Sequence, residues 1–134
     1  MRLLVDTGIF SASLSRRRSP SLDHHVGSLV GNQVFIAAVT VAELRYGAIL
    51  AEWGAPRRAR VEAAITAVTV VQVTNSLLTT VAELRANCRR VGHPLADKIH
   101  SNDLWIAASA IHIGATLISA DTMFNGAPDL LISP

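Results

Sequence analysis

The sequence predicts an α/β fold, a three-layer α/β/α sandwich built around a central parallel sheet. Short apolar runs of strand length alternate along the chain with longer segments of helical periodicity. These runs lack the polar–apolar alternation of a half-exposed strand, so we expect helices to cover both faces of the sheet. The chain has 134 residues, half of them hydrophobic, which fits one domain spanning residues 1–134.

Four strands are predicted, and a fifth segment near the end of the chain is a candidate edge strand. The clearest is an unbroken apolar run between Gly31–Asn32 and Thr40, which are typical boundaries of a strand. The four strands are Arg2–Val5, Val34–Val39, Val70–Val73 and Thr116–Ser119, and the candidate edge strand is Leu130–Ile132.

Helices are predicted between the strands. Glycine marks two of their ends: Gly54 precedes a proline after the third helix, and Gly114 closes the last one. The predicted helices are Ile9–Ser15, Leu22–Leu29, Val41–Trp53, Arg57–Val68, Ser76–Arg90 and Asp103–Ile113. The basic segment Arg16–Arg17–Arg18 and the polar segment Leu95–Asn102 are expected to be loops.

Composition excludes several classes of protein. No apolar run approaches the roughly 20 residues that span a bilayer, and Asp6 interrupts the first apolar run, so we expect a soluble cytoplasmic protein without a signal peptide. The single cysteine, Cys88, excludes an internal disulfide and a cysteine-based zinc site. Eleven of the twelve basic residues are arginine, which suits phosphate recognition but equally reflects a GC-rich genome.

Three acidic residues follow predicted strands. Asp6 comes directly after the first strand, Glu43 four residues after the second, and Asp121 two residues after the strand that ends at Ser119. Carboxyl ends of parallel strands share one edge of a sheet, where ligands bind in α/β proteins. We therefore expect these carboxylates to face one cleft.

A fourth acid, Asp103, opens the last helix. The buried stripe of that helix is predicted to include Ile106, Ala107 and Ala110, at offsets of three, four and seven from Asp103. These offsets place Asp103 on the inward side of the helix. An inward carboxylate is costly unless another group compensates its charge.

Each acid also has a purely structural interpretation. Asp6 is a suitable helix cap, and Thr40-x-x-Glu43 has the spacing of a capping box. Asp103 suits a first helical turn, and Asp121 suits an Asx turn. Four carboxylates at one sheet edge would nevertheless repel one another without a cation, and Mg²⁺ prefers such oxygen ligands.

The string Thr-Val-Ala-Glu-Leu-Arg occurs twice, at Thr40–Arg45 and at Thr80–Arg85. The flanking residues differ, so we interpret the duplication as coincidence. Glu83 lies inside a predicted helix that no strand immediately precedes, so we expect it to be an ordinary surface residue. Glu43 is therefore the predicted functional copy.

The strings that carry these acids resemble those of the PIN-domain ribonucleases, and among them the VapC-type toxins of bacterial toxin–antitoxin pairs. The resemblance covers nearly the whole chain in the same order. The strings are Val5-Asp6-Thr7, Thr40-Val-Ala-Glu43-Leu-Arg-Tyr-Gly47, Asn102-Asp103-Leu-Trp-Ile-Ala-Ala108 and Ser119-Ala-Asp121. The chain departs from the pattern after Asp121, where relatives often have a longer acidic and aromatic stretch.

The resemblance implies a PIN-like nuclease domain that cleaves RNA internally with Mg²⁺ or Mn²⁺. It implies that the acids Asp6, Glu43, Asp103 and Asp121 hold the metal and activate water. It also implies supporting roles for Thr7, Asn102 and Ser119. A homodimer and a cognate antitoxin that covers the acidic cleft are the implied protein partners, with RNA as the substrate.

Other residues are assigned structural roles by default. We expect the histidines His24, His25, His93 and His100 to lie at the surface, because their spacing matches no standard metal site. Asp97 is expected to be a solvated loop acid, with indirect support of the acid cluster as the alternative. Trp53 and Trp105 are expected to pack rather than to stack on bases. The Arg16–Arg18 segment suits phosphate contacts or a solvated loop equally.

Competing functions differ in the residues that they need. A phosphoacceptor receiver domain needs a lysine after a late strand, whereas the only lysine, Lys98, lies in a predicted loop. A metal-dependent phosphatase usually has a second aspartate two residues after the first, where this chain has Gly8. A PIN-like module that binds RNA without cutting it is the remaining alternative.

Overall fold

A computed structural model of the chain describes residues 1–15 and 18–133. Its four strands form one sheet in the order β3-β2-β1-β4, and every neighbouring pair is parallel. The strands are β1 (Arg2–Val5), β2 (Gln33–Ala37), β3 (Thr69–Val71) and β4 (Thr116–Ile118). The predicted parallel sheet is confirmed.

Helices connect these strands. Within the described ranges they are α1 (Thr7–Ser13), α2 (Pro20–Gly27), α3 (Ala38–Leu50), α4 (Ala55–Thr66), α5 (Asn75–Val91) and α6 (Ser101–Ile113). Short 3-10 turns occur at Pro94–Ala96, Lys98–His100 and Thr122–Phe124. None of the described helices is both long and apolar enough to cross a membrane.

The sheet has an apolar cluster on each face. Leu3 and Val5 of β1 belong to a cluster with residues of α1, α3 and α4, whereas Leu4 belongs to a cluster with residues of α5 and α6. Successive side chains of a strand point to opposite faces, which explains this division. Cys88 is fully buried in the second cluster, as expected of a core helix residue. The three-layer α/β/α prediction is therefore confirmed.

The boundary between β2 and α3 differs from the prediction. The strand ends at Ala37, and the helix begins at Ala38 instead of Val41, so Thr40 lies inside the first turn. The residue before the helix is Ala37, which makes no side-chain capping bond, so the capping-box interpretation of Thr40 is wrong. An apolar run is compatible with a buried strand or a buried helix, and only tertiary packing separates the two.

Two later segments also differ from the prediction. The predicted loop Leu95–Asn102 contains two 3-10 turns, and α6 begins at Ser101. Gly114 ends α6 with a left-handed φ of 65°, as its position predicted. The candidate edge strand is reduced to one parallel bridge, in which Ile132 pairs with Leu117 of β4.

The basic segment after α1 is described only at Arg18. Its guanidinium forms an ion pair with Asp23 of α2 at 3.1 Å. Arg16 and Arg17, for which phosphate contacts and a solvated loop are both open, lie outside the described residues.

Candidate active site

A cleft opens where the order of the strands reverses. The chain passes from β1 to β2 on one side, and β4 later joins β1 on the other side. Connections then leave β1 and β4 in opposite directions, which opens a crevice beyond their carboxyl ends. The cleft has a volume of about 580 Å³, and its lining includes Asp6, Glu43, Asp103 and Asp121. The structure therefore brings the four predicted acids to one cleft.

Asp6 is the most buried of the four acids, with 8% of its surface exposed. Its Oδ1 accepts the Ile9 backbone N–H at 2.8 Å, which caps α1. Its Oδ2 accepts the hydroxyl of Ser119. Burial raises the pKa of this carboxyl, and the nearby Asp121 charge raises it further, although the two hydrogen bonds oppose the shift. Asp6 is thus a helix cap and a cleft acid at once.

Ser119 links Asp6 to Asp121. Its Oγ donates to Asp6 and accepts the Asp121 backbone N–H at 3.0 Å. The Asp121 side chain in turn accepts the Met123 N–H at 2.9 Å, which forms the Asx turn that its position suggested. The direction in which Asp121 leaves β4 is therefore fixed by hydrogen bonds at both ends of the turn.

Glu43 is positioned by two threonines. The Thr7 hydroxyl donates to Glu43 Oε1 at 2.8 Å and lies 3.0 Å from the Thr40 hydroxyl. A hydroxyl carries one proton, so Thr40 must donate to Thr7. Thr40 is fully buried and was assigned only a capping role from the sequence. Its position three residues before Glu43, on the same helix face, is the signal that could have identified it.

Asp103 lies on the first turn of α6 with about a third of its side chain exposed. Burial raises the pKa of its carboxyl, and the negative charges of Asp121 and Glu43 raise it further. The His100 ring lies 4.0 Å from Asp103 Oδ2 and acts in the opposite direction. Burial is thus the main cause of both raised carboxyl pKa values, and the charges of neighbouring acids add to it.

The remaining candidates lie outside the cleft lining. Asn102 is exposed on the first turn of α6, and Asp97 is exposed in the segment before it. Glu83 is exposed on α5, as predicted from its sequence context. Trp105 packs against the core as expected, and Trp53 lies under the Arg57 guanidinium at 3.7 Å.

His25 was not predicted to lie near the acids. Burial is the main cause of the raised pKa of Asp6, and the electrostatic effect of the nearby His25 ring lowers that pKa. The half-buried ring of His25 lines a small pocket beside Asp121. The sequence offered no signal for this placement, because the surface pattern of α2 does not fix which side of the helix faces the cleft.

The donor set fits a hard divalent cation in its chemistry. All four groups are carboxylates, and a cation would relieve the repulsion that raises the pKa of Asp103. Across residues 1–15 and 18–133, however, no three His, Cys, Asp or Glu side chains converge as a ready set of metal ligands. Magnesium usually takes one or two carboxylates directly and keeps several waters, so it does not require such convergence.

Comparisons with known proteins agree with this architecture. A crystal structure of VapBC2 from Rickettsia felis, bound to a promoter DNA fragment, contains a chain with a TM-score of 0.80 and 22% identity, over 99% of this chain and 98% of that one. A chain of the FitAcB structure from Neisseria gonorrhoeae has a TM-score of 0.76 and 25% identity, over 98% of this chain and 96% of that one. VapBC-5 from Mycobacterium tuberculosis is described as a member of the VapBC family of toxin–antitoxin systems. Its matched chain has a TM-score of 0.65 and 26% identity, over 98% of this chain and 96% of that one.

A sequence comparison with curated proteins gave no match. The family model described as the PIN domain matches residues 3–130, which is nearly the full length. The order of the acids along the chain, the parallel sheet and the position of the cleft are all consistent with that match. The chain belongs to the PIN domain family.

Proposed function

We propose that this protein is a metal-dependent endoribonuclease and the toxin of a toxin–antitoxin pair. The observation that carries the proposal is the meeting of Asp6, Glu43, Asp103 and Asp121 at one cleft beyond the strand ends. The raised pKa values of Asp6 and Asp103 support it, because carboxyl groups whose pKa is shifted by burial and by neighbouring acids in a cleft are typical of functional sites. The likeness to chains from VapBC complexes supports the toxin role.

The four acids would hold Mg²⁺ or Mn²⁺. When bound, the ion would make water a better nucleophile near neutral pH and stabilise the negative charge of the transition state during phosphodiester hydrolysis. No nucleophilic side chain is required for such a reaction.

The protein's own contribution is to fix the carboxylates before substrate arrives. Hydrogen bonds from Ile9 and Ser119 orient Asp6, and the Thr7 hydroxyl orients Glu43. Each carboxylate oxygen that accepts one of these bonds keeps further acceptor capacity. Preorganised groups need no rearrangement as charge develops, which is the main source of electrostatic catalysis.

The proposal includes RNA as substrate, a cytoplasmic site of action, a homodimer and a cognate antitoxin. VapBC-5 from Mycobacterium tuberculosis, whose chain resembles this one, is described as a member of the VapBC family of toxin–antitoxin systems, and this supports an antitoxin for this chain. Binding of the purified protein to the product of the neighbouring gene would test directly whether the protein has a cognate antitoxin.

A non-catalytic RNA-binding module is the second candidate. It is favoured by one observation, that no three potential ligands converge in the described part of the chain. Such a module would bind RNA equally well in EDTA and would leave it intact with any metal.

The deciding experiment uses purified, antitoxin-free protein, total cellular RNA and Mg²⁺ or Mn²⁺, beside EDTA. The Asp6→Asn variant tests the cleft. Glu43→Gln and Glu83→Gln form a matched pair, because both glutamates lie in the same six-residue string but only Glu43 lines the cleft. The proposal expects discrete cleavage that EDTA, Asp6→Asn and Glu43→Gln abolish and Glu83→Gln retains. RNA that stays intact with every metal would instead identify the binding module.

A further inference from the structure

A second, smaller pocket adjoins the acidic cleft. Its volume is about 260 Å³, and Asp121 belongs to the lining of both the pocket and the cleft. Its polar lining comes from three separate segments of the chain: α2, the turn after β4 and the end of the described chain. Besides Asp121, these residues are Ser21, His25, Ser119, Thr122, Asn125 and Ser133.

The chemistry of this lining differs from that of the cleft. Hydroxyls, one carboxamide and one imidazole offer hydrogen bonds in both directions, whereas no arginine or lysine of residues 1–15 and 18–133 lines the pocket. Among the lining residues that the structure describes, Asp121 carries the only carboxylate, which would repel a phosphate. The pocket therefore suits an uncharged polar group rather than an anion.

A nucleoside has the matching chemistry. Its base edge and sugar hydroxyls both donate and accept hydrogen bonds, and unstacked RNA bases are commonly held by aromatic or histidine faces and by polar side chains. Asn125 is exposed at the pocket and carries a carboxamide, which can pair with a base edge in two directions. The half-buried His25 ring supplies a face for stacking.

We infer that this pocket is a subsite for the nucleoside next to the phosphodiester that is cleaved, with Asn125 as the base-reading residue. The inference rests on the proposed function for its setting, because the phosphate of the same nucleotide would lie in the cleft on the other side of Asp121. The pocket would contribute affinity and base preference and would take no part in activating water.

Binding of single nucleosides tests the subsite without catalysis. Metal-free protein in EDTA is titrated with adenosine, guanosine, cytidine and uridine, and with ribose 5-phosphate and inorganic phosphate, while backbone amide NMR shifts are recorded. We expect at least one nucleoside to shift the amides of residues 119–125 and 133. Asn125→Ala should weaken that binding about 3- to 10-fold, as expected for the loss of one or two hydrogen bonds to an uncharged ligand.

Asn75→Ala is the matched control, because Asn75 is an exposed amide on α5, which follows β3 at the opposite edge of the sheet. It should leave nucleoside binding unchanged. The inference is overturned if phosphate or ribose 5-phosphate shifts these amides as strongly as the nucleosides do. It is also overturned if no nucleoside shifts them, or if Asn125→Ala binds like the wild type.

A cleavage assay separates this inference from the proposed function. On an RNA that the wild type cuts, the bases beside the cut are varied one at a time. Asn125→Ala should raise KM for the preferred base and reduce the difference among bases, with kcat nearly unchanged. A wild-type protein that binds nucleosides in the pocket but cuts no RNA would contradict the nuclease proposal; nucleoside recognition by the pocket would stand, but its place beside a cleaved bond would not.

Discussion

The Thr7 hydroxyl donates a hydrogen bond to Glu43 Oε1 at 2.8 Å. This bond joins the first residue of α1 to α3, across 36 positions of the sequence. It holds the carboxylate of Glu43 at the rim of the cleft beyond β1. Behind it, the buried Thr40 hydroxyl donates to the half-buried Thr7 hydroxyl, so this chain of hydroxyls ends on a cleft acid.

Replacing Thr7 tests this chain. Thr7→Val should lower the RNA-cleaving activity, because Glu43 loses its donor. It should also cost about 1–3 kcal/mol in the free energy of unfolding, because the buried Thr40 hydroxyl loses its acceptor. Denaturant unfolding and initial cleavage rates measure the two effects.

The double variant Thr7→Val/Thr40→Val separates activity from stability. It leaves no orphaned hydroxyl, so it should recover much of the lost stability while the activity stays low. Thr7→Ser keeps the hydroxyl and should retain both. If the double variant regained full activity, Thr7 would not act through Glu43.

Neutralising Asp103 should stabilise the metal-free protein. Burial and the neighbouring charges of Asp121 and Glu43 raise the pKa of Asp103, so its ionised form is disfavoured in the folded state. Asp103→Asn should raise Tm in EDTA by a few degrees, since substitutions that relieve such a cost commonly add about 0.5–2 kcal/mol. The same variant should lose RNA cleavage. Calorimetry in EDTA, with the exposed Glu83→Gln as control, checks the direction; a lower Tm for Asp103→Asn would contradict it.

The stability of the metal-free protein should depend on pH in a defined direction. Asp6 and Asp103 both have pKa values raised by burial, so the folded state binds more protons than the unfolded state between the unfolded and folded pKa values. These two groups therefore make unfolding easier as pH rises through their folded pKa. Their destabilising effect disappears as pH falls below the unfolded pKa.

Urea unfolding in EDTA across the acidic range measures this dependence. The double variant Asp6→Asn/Asp103→Asn should show a smaller change of unfolding free energy with pH than the wild type, because the two groups no longer titrate. Saturating Mg²⁺ should also reduce it, since bound metal would compensate the charges that the proton otherwise neutralises. An unchanged slope in the double variant would show that other groups control the pH dependence.

The sequence predicted the cleft better than it predicted element boundaries. Asp6 and Asp121 could be placed because each lies within three residues of the end of an apolar strand, and parallel strands end at one edge. The β2–α3 boundary could not be placed, because an apolar run is compatible with both structures until packing selects one. Thr40 and His25 were missed for a related reason: their roles depend on helix rotation relative to the sheet.

His93 should hold the turn that follows Asp121 in place. Its Nδ1 accepts the Leu95 N–H at 3.1 Å, so its Nε2 carries the proton and donates to the Asn125 carbonyl at 2.9 Å. His93→Ala removes both bonds, so the Leu95 amide should exchange with solvent deuterium faster and the turn should become less ordered. His93→Asn keeps one short acceptor and should protect Leu95 better than alanine does. Because Asn125 lies in the proposed nucleoside pocket, His93→Ala should also weaken nucleoside binding; unchanged exchange at Leu95 would show that this link does not stabilise the turn.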